Sequence, residues 1–306
     1  LHPVAHSFPT RRSSDLTLTS GCAGFNIALR RSLDYFRSRS EINNILIANT
    51  ETMSHFLNRK RDFVFHATFG DAAAAAIISK VPKNGEHAGV GAILNHHDLR
   101  MIDFVGVDKD WNLYMDGGAV KQRAVPNLVS SSKEVLARDG WSLDDVDLVV
   151  PHQTGNAILH TVADELELPK EKMYQEAQQE YGNVSGTTIP IALSMLHEQG
   201  RLKPGMKLLC PTAGVGGEYG AWSYVVPKSK QSVDKKPKRH HPLLEDKKIL
   251  ILFADNALGL ILAEKLKQTR AHVLFHVSNK NEYKTQLEDI TATYSDLAVM
   301  YHPANG

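Results

Sequence analysis

Ile45-Leu46-Ile47-Ala48 is an apolar run held between Asn43-Asn44 and Asn49-Thr50. A run that short and uninterrupted reads as a strand buried on both faces. Just before it, Phe25, Ala28, Leu29, Leu33 and Phe36 recur on one helical face with arginines opposite, an amphipathic helix starting near Gly24. The switch from period 3.6 to a continuous run, repeated along the chain, restricts the fold to layered α/β.

Further strands are expected at Ala88 to Leu94, Met101 to Val107, Asp147 to Val150, Lys207 to Cys210 and Ala221 to Val226. Helices are expected at Ala119 to Arg138, Thr154 to Leu166 and Gly186 to Gln199. Ala72 to Ile78 is ambiguous, because alanine favours helix while the preceding Gly70-Asp71 turn and the closing isoleucines favour strand. Residues 228–247 are basic, proline-bearing and without apolar period, and read as a linker. Beyond them, residues 248–306 alternate strand, helix, strand, helix, strand, which forecasts a partial, parallel, Rossmann-like segment. Residues 1–16 begin without methionine, lack an apolar period or h-region, and read as a non-native or disordered leader.

Charge and cysteine content narrow the function. Lys and Arg number 35 against 34 acidic residues, a net charge of +1, so no global field gathers nucleic acid or an anionic membrane. The apolar stretch from Ile249 to Ala263 is broken by Asp255 and Asn256 and falls short of the ~20 residues that a helical span needs. Cys22 and Cys210 are the two cysteines, which suits a reducing, cytoplasmic setting. The histidines lack metal-ligand spacing with cysteines or carboxylates, so no metal site is expected.

Three residues stand where chemistry can be done. Cys22, in Ser20-Gly21-Cys22-Ala23-Gly24, sits among small neighbours at a helix N-terminus, whose partial positive charge lowers a thiol pKa. Taken alone, a cysteine among small residues is more often buried packing. His152 follows the strand Val149-Val150, at the end where open α/β sheets place ligands, or serves structure there. Asn183 lies in a glycine-flanked turn before a helix, where a capping role is the alternative. The glycines from Gly214 to Gly220 precede a strand rather than open a helix, which argues against a nucleotide fingerprint.

In this order, SGCAGF, FGDAAAAAII, VPHQTGNAIL, YGNVSGTTIPIAL, GRLKPGMKLL and AGVGGEYGAWSYVV resemble the β-ketoacyl-acyl-carrier-protein synthase III family of thiolase-fold condensing enzymes. The resemblance covers residues 17–226, mostly the C-terminal half of that fold, and implies a strand for Ala72 to Ile78. It implies that Cys22 accepts an acyl group from acyl-coenzyme A. His152 and Asn183 would then stabilise the enolate of a decarboxylating malonyl thioester. The backbone N–H of Cys22 and another within Gly214, Val215 and Gly216 would hold the second oxyanion. No cofactor beyond the coenzyme A thioester is implied, and a homodimer is. The family ordinarily carries most of one thiolase half before its nucleophile, which implies a chain truncated at its N-terminus. Members that use carrier protein commonly have an arginine shortly after the histidine, absent from Gly155-Asn156-Ala157-Ile158. Acyl transfer to an oxygen or nitrogen acceptor, or a non-catalytic scaffold, remain alternatives. Residues 248–306 resemble the structural subdomain of polyketide-synthase ketoreductases, in which only Gly259 is left of the dinucleotide fingerprint.

Overall fold

Lys207–Ala213 continues the apolar run well past Cys210, and Leu208, Leu209 and Cys210 are fully buried, because this strand lies inside a sheet covered on both faces. The computed structural model describes residues 18, 20–58, 63–81 and 88–228, together with the strands 248–251, 272–277 and 297–301. The expected leader 1–16, linker residues 229–247 and the tail helices near 258–267 and 280–290 lie outside the described residues. Residues 1–229 and 230–306 form two separate units.

In the first unit the elements run α1 (Gly24–Ser38), β1 (Asn44–Glu51), α2 (Phe63–Thr68), β2 (Ala72–Ser79), β3 (Gly89–His97), β4 (Val105–Val107), β5 (Leu113–Met115) and α3 (Gly117–Asp139). They continue with β6 (Leu148–Val149), α4 (Asn156–Glu165), α5 (Glu176–Tyr181), α6 (Thr188–Glu198), β7 (Lys207–Ala213) and β8 (Glu218–Val225). The main sheet has the order β3-β8-β7-β6, antiparallel except for the parallel pair β6–β7.

Period-2 alternation sends successive side chains of this sheet to opposite layers. Leu94, Val149, Leu209 and Ala221 join one core with Val125, Leu128 and Val135 of α3 and Val162 of α4. Ile93, Leu148, Cys210 and Trp222 join another with Phe25 and Leu29 of α1 and Ile189, Ala192 and Leu196 of α6. The layers are therefore helix, sheet, helix, as the α/β reading expects.

Two sequence expectations are corrected, and one left open is decided. β1 is not buried on both faces: Ile47 is 6% exposed but Leu46 is 56% exposed. Among the described residues it pairs with β2 alone, in an antiparallel ladder from Asn44↔Ser79 to Glu51↔Ala72. The alanine-rich segment is thus a strand, and Ala76 and Ile78 pack on the core that contains α6. The strand expected from Met101 to Val107 is a 3-10 turn, Leu99–Met101, followed by the short hairpin β4–β5. There the Asp98 carboxylate accepts from the Arg100 N–H at 3.2 Å and caps the turn. The short helices α2 and α5 had no counterpart in the sequence reading, because six residues are too few to display a period.

In the second unit β9 (Lys248–Ile251), β10 (His272–Val277) and β11 (Leu297–Tyr301) pair in parallel with β10 in the middle. Among the described residues no helix is long and apolar enough to cross a membrane.

Candidate active site

Cys22 occupies a 3-10 turn, Gly21–Ala23, that leads directly into α1. Gly21 takes φ +44°, a conformation that side chains with a Cβ rarely adopt. Two further stretches of backbone close on this turn. A Cβ on Gly214 would lie 2.9 Å from the Ala23 nitrogen, so the loop after β7 can rest here only through a glycine. A Cβ on Gly186 would lie 2.7 Å from the Gly21 carbonyl oxygen, which presses the turn Ser185–Thr187 against the cysteine from another side. The Thr212 hydroxyl donates to the Cys22 carbonyl at 3.3 Å and ties the turn to β7.

His152 follows β6, and its N–H continues the parallel ladder by donating to the Pro211 carbonyl at 2.8 Å. The ring is 2% exposed, with Nδ1 2.7 Å from the Thr188 hydroxyl. Gln153, fully buried, donates to the Pro151 carbonyl at 2.8 Å and accepts from the Gln178 N–H at 3.1 Å, which fixes the loop. Asn183 joins this loop cluster to the start of β2: its N–H donates to the Thr68 carbonyl at 2.7 Å and its carbonyl accepts from Gly70 at 3.1 Å. Its side-chain Oδ1 accepts from the Ser185 N–H at 2.9 Å. A backbone N–H can only donate, so this bond fixes the amide orientation and leaves Nδ2 as the donor end.

The three sequence candidates therefore meet at one short stretch, residues 185–188. The Cys22 turn meets it through the Gly21 carbonyl on Gly186, Asn183 through the Ser185 N–H, and His152 through Thr188. Ser185, Thr188 and Glu51 were missed by sequence reasoning. Ser185 and Thr188 lie inside a quoted motif without a chemistry of their own, and Glu51 joins them only through the fold.

The electrostatics differ from expectation at Cys22. Desolvation pushes the thiol up to about 11, the Ser185 hydrogen bond and the residue's own N–H oppose this, and the Glu51 charge adds to it. The thiol is thus protonated at neutral pH. A helix N-terminus lowers a thiol pKa where solvent or a cation shares the charge, and here burial outweighs it. His152 is lowered to about 4 by burial, so its imidazole is neutral too. The site holds a neutral pair.

A second correction concerns the oxyanion loop. Gly214 gives its N–H to the Glu218 carbonyl at 2.6 Å, so it is removed from the expected set of donors. Val215 and Gly216 lie in the following turn, where Gly216 has φ +73°. Among the described residues no group of three or more His, Cys, Asp or Glu side chains could hold a metal.

A family model described as 3-Oxoacyl-[acyl-carrier-protein (ACP)] synthase III matches residues 16–95, and its C-terminal counterpart matches residues 136–225. A β-ketoacyl-[acyl-carrier-protein] synthase III from Ruegeria sp. (strain TM1040) is 32% identical over 234 residues, 70% of this chain and 71% of that protein. The chain belongs to the β-ketoacyl-[acyl-carrier-protein] synthase III family. The synthase III of Nitratidesulfovibrio vulgaris is also 32% identical, over 218 residues, and the chain spans 64% of its length. The crystal structure of the synthase III from Pseudomonas aeruginosa PAO1 superposes with a TM-score of 0.64 at 29% identity, covering 70% of this chain and 67% of that one. The first unit thus has the thiolase-like α/β fold of the synthase III family.

Proposed function

We propose that this synthase III family chain is an acyltransferase that condenses an acyl-coenzyme A primer with a malonyl thioester through an acyl-Cys22 intermediate. The observation that carries the reading is the meeting of the Cys22 turn, His152 and Asn183 on residues 185–188. In the first half-reaction the Cys22 sulfur attacks the thioester carbonyl, the bond to coenzyme A breaks, and the thiol proton leaves with the coenzyme A sulfur. In the second, the malonyl carboxylate departs as carbon dioxide and its electron pair forms an enolate. The enolate carbon attacks the acyl-Cys22 carbonyl, Cys22 leaves as thiolate and recovers a proton, and a 3-oxoacyl thioester is released. The steps balance without a redox partner.

The enolate oxygen needs two donors, each worth about 3 to 4 kcal/mol in a dry site. Asn183 supplies Nδ2, oriented by its bond to Ser185. A neutral His152 supplies Nε2–H if Thr188 gives its hydroxyl proton to Nδ1. This pair favours condensation over transfer to an oxygen or nitrogen acceptor, which needs no enolate. The backbone N–H of Cys22, with those of Val215 and Gly216, is the proposed oxyanion set for the acyl-enzyme step.

The reading includes malonyl delivered on carrier protein or coenzyme A, a homodimer by resemblance to the family, and a cytoplasmic setting. The parallel pairing of β9, β10 and β11 supports reading residues 248–306 as a structural, ketoreductase-type segment with a Rossmann-like form. Incubation with acyl-coenzyme A and then malonyl-coenzyme A tests the function. A 3-oxoacyl product that is lost in Cys22→Ala supports it, and an unmodified Cys22 with no product contradicts it.

A further inference from the structure

Glu51 is the last residue of β1, and its partly buried carboxylate reaches the turn beside the nucleophile. Its Oε1 accepts from the Gly186 N–H at 3.1 Å and from Asn49 Nδ2 at 3.2 Å. The same oxygen would lie 2.7 Å from a Cβ on Gly186, so the contact is closed to any larger residue there. On the other side of Gly186 lies the Gly21 carbonyl, 2.7 Å from where a Cβ would stand, so the carboxylate and the Cys22 turn flank the same residue. Ser185 itself stands at φ +51°, a conformation that costs a non-glycine residue of order 1–3 kcal/mol unless its surroundings enforce it. The enforcing bonds are the Glu51 carboxylate on Gly186 and Asn183 Oδ1 on the Ser185 N–H.

We propose that Glu51 is a positioning residue for the nucleophile: its carboxylate holds the Ser185–Gly186 turn against the Cys22 turn. The proposal rests on Cys22 being the acyl acceptor. Other ionisable groups around the cysteine have their own partners. Glu218, 3.4 Å from the Ser20 hydroxyl, is bonded to His97 at 3.1 Å. His152 is neutral and anchored on Thr188. Glu51 is the carboxylate that reaches Gly186, beside the Cys22 turn. A thiol kept protonated between substrates is shielded from adventitious electrophiles, because only the thiolate reacts readily.

The test is the pH profile of Cys22 alkylation by iodoacetamide in the full chain, from about pH 6 to about pH 11, with the modified peptide mapped by mass spectrometry. Mapping separates Cys22 from Cys210. Glu51→Gln retains an Oε1 acceptor for Gly186 and Asn49 and removes the charge. Its midpoint should fall by about one pH unit, the effect of one like charge in a partly screened site. Ser185→Ala removes a hydroxyl that favours the thiolate and should move the midpoint upward. Opposite shifts are the signature of the proposal, since mere loosening of the turn would move both variants in the same direction. An unmoved midpoint in a Glu51→Gln protein of unchanged melting temperature overturns it, and so does a downward shift in Ser185→Ala. If the parent chain alkylates at Cys22 but never takes an acyl group from acyl-coenzyme A, the acyltransferase reading fails while the profile still decides the role of Glu51.

Discussion

The Thr188 hydroxyl stands 2.7 Å from His152 Nδ1 and 3.1 Å from the Ser185 carbonyl oxygen, with one proton to give and two acceptors within reach. If the proton goes to Ser185, the ring must carry its own proton on Nδ1, and Nε2 becomes an acceptor. If it goes to Nδ1, Nε2–H is a donor. Condensation requires the second arrangement. Thr188→Val removes the hydroxyl and should slow condensation by about 10²- to 10³-fold, the usual cost of losing one oxyanion donor. Acylation of Cys22 should change only a few-fold. Separate assays of acyl-enzyme and 3-oxoacyl product check this, and a product rate within twofold of the parent would contradict the tautomer assignment.

Burial of His152 makes stability depend on pH. Its folded pKa, about 4, lies below the ordinary 6.5. Between these values the unfolded chain binds a proton that the folded chain refuses, so the contribution is present above about pH 6.5 and is lost as pH falls toward 4. The loss should reach roughly 3 kcal/mol. Denaturant melts of the parent and of His152→Gln at a series of pH values measure it, and parallel curves for the two proteins would contradict it.

Gly214→Ala should be costly although its φ of −139° suits alanine. The new Cβ would meet the Ala23 backbone nitrogen at 2.9 Å, so the loop and the Cys22 turn must move apart. Overpacking of this kind costs about 1–3 kcal/mol. Thermal melts should show the loss, and the acylation rate should fall with it. An unchanged melting temperature and rate would show that the contact is not tight.

Residues 248–306 should bind neither NADPH nor NADH. Close approach of a pyrophosphate needs residues without a Cβ at the first strand-to-helix turn. Where the sequence pattern predicts that turn, this chain has Asp255, Asn256, Ala257 and Leu258. Asp255 would add like-charge repulsion. Calorimetric titration of the full chain with NADPH checks this, and micromolar binding would turn the tail into a cofactor domain.

The layered α/β plan was legible because β7 and the helices α1, α3 and α6 are long or strongly patterned. Where side chains outside the element decide, reading failed. Leu46 looks like core until the pairing of β1 is known, and Met101 looks like strand until the Asp98 cap is seen. At the site, residue types exposed Cys22, His152 and Asn183. What escaped was their coupling, because Ser185 and Thr188 are ordinary hydroxyls and Glu51 is distant in sequence from both. The thiol acidity also escaped, since burial is a property of three packed turns and not of the helix that follows Cys22.

The most direct measurement of the central claim is intact and peptide mass spectrometry of the full chain after incubation with acyl-coenzyme A, followed by malonyl-coenzyme A. The account predicts one acyl adduct on Cys22, absent in Cys22→Ala, that disappears on addition of the malonyl thioester as a 3-oxoacyl product forms. An adduct confined to Cys210, or product formation that persists in Cys22→Ala, would contradict it.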